Sequence, residues 1–144
     1  MALEDKNLPA DITLDETIAA AIRARLEDGR LTCPAAFAVA DEVACPPSAV
    51  GETADALTIK LTACQLGLFG FPGHAKGWAA AGVASLPVAE GLEQAIRDER
   101  DEQGEIGCVE LWRLAVRFDV SRMQLGYVTD RLGIPIRRCQ LGAF

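Results

Sequence analysis

The sequence predicts a mainly α-helical protein with small β elements, built as two tandem copies of one module. Three observations carry this. The hexapeptide CQLGLF at 64–69 returns as CQLGAF at 139–144. Sliding the chain on itself by 75 residues extends that match backwards without a gap, aligning 33–69 with 108–144 at eleven identities in 37 positions. Within each copy, apolar residues at helical spacing are interrupted by Gly, Pro and short alternating runs at matching places.

A repeat of about 60 residues implies two small, similar lobes, each marginal alone. The composition, 50% apolar and 24% charged, is that of an ordinary globular protein. No run approaches the roughly 18 consecutive apolar residues of a membrane span. The acidic start MALEDKNLPADITLDE does not read as a signal peptide, so a cytoplasmic location is expected. Thiols usually stay reduced there, and five cysteines, an odd number, do not suggest a disulfide framework.

The elements follow in order. Leu14, Ile18, Ile22 and Leu26 recur every fourth residue, with Asp15 or Thr13 available as a cap and Gly29 beyond the end, which predicts a first helix. Leu92 and Ile96 match Ile18 and Ile22 at an offset of 74, implying one inserted residue before Gly104. GRLTC and its counterpart GEIGC are too short for a helix and read as a small strand. PAAFAVADEVACPPSAVGETADAL then pairs with VELWRLAVRFDVSRMQLGYVTDRL, each a helix of about ten residues, a short break and a second helix. Ala40 and Ala115 supply the small residue where two helices cross, and Val50 and Leu125 supply apolar anchors ten residues on. Val43 or Phe118 closes the first of these helices onto the second, and Pro46 and Pro47 are expected to stop it in the first copy. Ile59 and Leu61, or Ile134 and Ile136, then lead into CQLG as a strand entering a turn, expected to close the core of its own copy. GFPGHAKGWAAAGVASLP reads as a linker with one helical turn around Trp78.

The order helix, strand, helix, helix, strand, wing resembles the winged-helix family. The chain looks like two such domains in tandem: an acidic copy over 13–69, a Gly/Ala/Pro-rich linker over 70–89 and a copy with a basic helix-turn-helix over 90–144. Leu114 to Ile134 carries the closer match, with Asp119 in the turn and Leu125 and Val128 at buried places. The resemblance implies a DNA-binding transcription regulator whose second helix enters the major groove while the wing neutralises phosphates. On that reading Arg122, Gln124, Arg131, Arg137 and Arg138 are the DNA-contact candidates.

Charge bears on this in two directions. The whole chain carries −7, yet the imbalance is uneven. Residues 33–69 hold four carboxylates against Lys60 alone, whereas 108–144 hold six arginines against Glu110, Asp119 and Asp130. Arginine suits bidentate contact with phosphate or guanine. The same arginines also have an internal alternative in the acidic segment GLEQAIRDERDEQGE of their own copy. The expected partner is therefore DNA or another protein, with a homodimer among the arrangements the repeat allows. In the protein-binding alternative, both lobes dock on a partner and no nucleic acid is bound.

Cys33, Cys64, Cys108 and Cys139 recur at equivalent places, so two thiols per copy fall near one small sheet. They read as small buried residues. A metal or redox sensor is the alternative, but structural zinc usually shows two ligands two to four residues apart, and the chain has no CxxC. Cys45 is replaced by Val120 in the second copy, which fits packing. An enzyme is not expected, nor a cofactor. The single histidine, His74, sits in the linker, GFPGHAKG lacks the spacing of a phosphate-binding loop, and Asp98 to Glu105 lacks that of a calcium loop.

Overall fold

A computed structural model describes residues 15–71 and 73–144. Thr13 and Leu14, expected in the first helix, lie outside the described residues. The chain forms two compact units, one of Met1–Cys64 together with Gln140–Phe144, the other of Gln65–Cys139.

In the first unit, α1 (Glu16–Arg23) starts at Asp15, whose carboxylate accepts the amide N–H groups of Thr17 at 2.9 Å and Ile18 at 3.2 Å. This satisfies donors that the first helical turn leaves open. The helix ends at Arg23, before Leu26, because the chain tightens into a turn. Glu27 and Arg30 exchange backbone hydrogen bonds there, and Asp28 and Gly29 both take positive φ. β1 (Leu31–Thr32) leads into α2 (Cys33–Val43), capped by the Thr32 hydroxyl, which accepts the Ala35 N–H at 3.2 Å. α2 stops ahead of Pro46 and Pro47, as expected. It ends at Ala44 in the left-handed region, with the N–H groups of Ala44 and Cys45 both directed at the Ala40 carbonyl. The prolines also open α3 (Pro47–Ala56), where a fixed φ suits the first turn. β2 (Leu61–Thr62) then pairs parallel to β1, Leu31 opposite Leu61 and Thr32 opposite Thr62. Ile18, Ile22, Leu31, Ala36, Val39, Ala40, Val50 and Ala54 are buried and form the core.

The second unit contains α4 (Trp78–Ala81), a 3-10 turn at Val83–Ser85, α5 (Leu92–Asp98), β3 (Ile106–Gly107), α6 (Cys108–Phe118), α7 (Arg122–Arg131) and β4 (Ile136–Arg137). β3, α6, α7 and β4 repeat the bounds of β1, α2, α3 and β2 at an offset of 75, and β3 pairs parallel to β4 in the same register. The one-residue slip upstream is also present: buried Ile18, Ala21 and Ile22 correspond to buried Leu92, Ala95 and Ile96 at an offset of 74. Left-handed positions recur in pairs, Ala44 with Asp119, Thr58 with Gly133, Ala63 with Arg138 and Gly67 with Gly142. Backbone conformations that most residues avoid are thus reproduced at equivalent positions even where the side chains differ.

Two features differ from the expected copy. The strand pairs are parallel and two residues long, and among the described residues no antiparallel strand pair follows β2 or β4 as a wing. The stretch 70–89 is not a bare spacer. Its α4 carries a buried Trp78, its 3-10 turn a buried Val83, and it folds within the second unit.

The repeated hexapeptide does not close its own copy. Gln140–Phe144 belongs to the unit built from the first copy, and Gln65–Phe69 to the unit built from the second. A β-carbon added to Gly51 on α3 would lie far inside van der Waals contact with the carbonyl oxygen of Leu141, and one added to Gly126 on α7 far inside contact with that of Leu66. Glycine at these two helix positions admits a backbone carbonyl where any other residue would put its side chain. Leu66 and Leu141 are accordingly 1% and 2% exposed. Gly67 is required twice over. Its φ is +85°, and a β-carbon there would strike the Trp78 indole and the Met123 sulfur.

Candidate nucleic-acid interface

The residues expected to meet DNA lie on α7 and around β4, and most are engaged within the second unit. α7 starts at Ser121, whose hydroxyl accepts the Gln124 N–H at 3.1 Å. That places Arg122 at the first helical position. Its guanidinium lies 3.5 Å from the Trp112 ring centroid and donates to Gln65 Oε1 at 2.6 Å. Gln124 is buried, and its amide donates to the Pro87 carbonyl at 3.0 Å. Arg137 pairs with Glu105 at 3.6 Å, and Arg138 with Asp101 and, at 3.6 Å, with Glu110. The internal partner that the acidic segment offered is therefore taken. Arg131 is exposed, 5.8 Å from the Tyr127 ring centroid.

Charge across the unit follows the same pattern. Residues 65–139 hold nine Arg and Lys against ten Asp and Glu, so the basic 108–144 segment folds into a near-neutral whole. Asp101 is central to the pairing. The Glu105 N–H bonded to its carboxylate is the main reason its pKa lies below the ordinary value, with the side chain of Arg138 and the Gln103 N–H adding to the effect. A carboxylate with a depressed folded pKa contributes stability that is present above its ordinary pKa, near 3.9, and is lost as pH falls through the folded value. Asp101→Asn is expected to flatten the loss of stability as pH falls below the ordinary carboxylate pKa of about 3.9, relative to the parent, as read by thermal melts across pH.

The cysteines sit where the strand pairs meet the helices. Cys33 and Cys108 are the first residues of α2 and α6, and the parallel register brings Cys64 to the end of the strand pair that Cys33 follows. Cys33, Cys64 and Cys108 are buried and Cys139 half-buried, and all five cysteines are free thiols. Among the described residues no group of three or more His, Cys, Asp or Glu side chains is placed to hold a metal. Burial and the Asp15 carboxylate raise the pKa of Cys45, the reverse of what an activated nucleophile needs. Cys64→Ser is expected to cost about 1–2 kcal/mol, because a buried hydroxyl replaces a weakly polar thiol. A lowered melting temperature with no metal released would be the signature.

His74 is exposed. A cleft of about 360 Å³ beside α5 is lined by Val88, Ala89, Gly91, Glu93, Gln94 and Arg97, which include no histidine, cysteine or serine. Sequence reasoning missed Trp112, and for Trp78 it read the helical turn but not the buried indole. Trp112 receives the Arg122 guanidinium, and the Trp78 indole N–H donates to the Leu66 carbonyl at 2.8 Å. A tryptophan within a Gly/Ala-rich stretch was the signal available for the second.

Comparison with protein-family models, with curated proteins and with solved structures found no match. No helix among the described residues is long and apolar enough to cross a membrane.

Proposed function

We propose that the protein is a regulatory binding protein without catalytic chemistry, built from two divergent winged-helix-like modules and docking on another protein rather than on duplex DNA. Support for the modules comes from the helix, strand, helix, helix, strand order of each copy and from buried Ala40 and Ala115. The observation that carries the choice of partner is the engagement of Arg122, Gln124, Arg137 and Arg138 inside the second unit. A DNA complex would have to release these contacts before gaining new ones, and the near-neutral unit supplies little compensating attraction. A surface remains on α6, where Arg113, Val116 and Arg117 share one face and Val116 is 79% exposed. An apolar side chain flanked by two guanidinium groups suits a partner segment that is acidic and apolar. A reducing, cytosolic compartment belongs to this reading, supported by the free thiols.

DNA binding is the second reading. It is favoured by Arg113, Arg117 and Arg131, which make no ion pair with the described residues. Titration of random-sequence duplex DNA separates the two. No binding is expected at about 50 mM salt, where the electrostatic contribution is large. Binding that falls steeply between about 50 and 200 mM salt, and weakens when Arg137 and Arg138 are replaced together by Ala, would establish the DNA reading instead.

A further inference from the structure

The Gly51 face of α3 and the Gly126 face of α7 receive the same peptide in the same way. The glycines are 75 residues apart, as are the leucines whose carbonyl oxygens they admit. Both leucines are almost fully buried, and the glycines that follow, Gly67 and Gly142, share a left-handed backbone at φ +85° and +76°. In both cases the peptide comes from the repeat that does not carry the receiving helix. The first copy's peptide is further held in place by the Trp78 indole N–H on the Leu66 carbonyl and by the Gly77 N–H on the Gly67 carbonyl at 2.9 Å. Docking is thus already a transaction between two modules, and the span that makes the crossing is short: Cys139 belongs to one unit and Gln140 to the other.

We propose that these helix faces are two examples of one docking site for a Gln-Leu-Gly turn, and that the partner it takes in trans is the tail of a second copy of this chain. Exchange of Gln140–Phe144 between two chains replaces each contact within a chain by an identical one between chains. The packing of the tail on its helix is kept, so the balance is set by chain concentration against the effective concentration of the tethered tail, on the order of millimolar. The monomer dominates in dilute solution and a tail-exchanged dimer forms on refolding at high concentration. This holds whichever partner the α6 face serves.

The test refolds the full chain from denaturant at about 10 µM and at about 1 mM, followed by size exclusion with light scattering. Monomer is expected at the lower concentration and a substantial dimer fraction at the higher. A chain that remains monomeric at both would overturn the proposal. The second measurement leaves the receiving helix untouched. Phe144 is replaced by a photo-crosslinking phenylalanine analogue in an unlabelled chain, which is refolded with an excess of nitrogen-15-labelled parent chain. In the dimer fraction, mixed light–heavy adducts should map to residues 15–64 of the heavy chain. Adducts confined to the light chain in that fraction would show that the dimer forms elsewhere and would sink the idea.

Discussion

Gly126→Ala is expected to lower stability by about 3 kcal/mol, which is roughly 10 °C in melting temperature for a chain of this size. Gly51→Ala is expected to do the same to the first unit. Helix propensity alone argues the opposite sign, since replacing a mid-helix glycine by alanine gains about 1 kcal/mol. Packing overrides it. The added methyl group would lie far inside van der Waals contact with the Leu66 carbonyl oxygen at Gly126 and with the Leu141 carbonyl oxygen at Gly51. The obstacle is backbone, not the mobile end of a side chain, so the hexapeptide has to move off the helix and take its buried leucine with it. Thermal and urea melts of both variants provide the check. A raised melting temperature in either would show that the hexapeptide does not lie on that helix.

Leu141→Ala and Leu66→Ala test the contact from the peptide side. Each removes a nearly fully buried leucine, a change that costs about 2–5 kcal/mol depending on how far the site collapses. The loss for Leu141→Ala should lie toward the lower end. The first unit has Ala36, Val39 and Val50 where the second has the larger Leu111, Leu114 and Leu125, so its core is built from smaller side chains. Because Leu141 is written in the second copy but packs in the first unit, Leu141→Ala should speed hydrogen exchange in α1, α2 and α3 and leave α6 and α7 unchanged. Leu66→Ala should show the reverse pattern. Exchange measured residue by residue decides between this and a hexapeptide that serves its own copy.

The duplication, the helices and the strand positions were legible because they rest on local periodicity and on identities at fixed spacing. Ala40, Ala115, Val50 and Leu125 are all buried as that reading required. The exchange of hexapeptides was not legible, and duplication is the reason. When both copies carry the same Gln-Leu-Gly and the same helix glycine, local sequence cannot say which copy's helix receives which peptide. Pro46 and Pro47 marked the end of α2, but not that they also start α3, because proline serves equally after a helix end or at a helix start. The left-handed Ala44 that closes α2 could not be read in advance, since the sequence shows no glycine there. The arginines were ambiguous for a similar reason. Asp101 and Arg138 are 37 residues apart, and only the β3–β4 pairing brings them together. Gln124 looked available because it is polar on a helix, but its amide is satisfied by a carbonyl of the stretch that read as a linker.

The central claim, that each copy's hexapeptide packs in the unit built from the other, is tested most directly by nuclear Overhauser contacts in the intact chain labelled at glycine and leucine. The α-protons of Gly51 should show contacts with Leu141, and those of Gly126 with Leu66. Contacts of Gly51 with Leu66 and of Gly126 with Leu141 would mean that each copy closes its own core and would contradict the account.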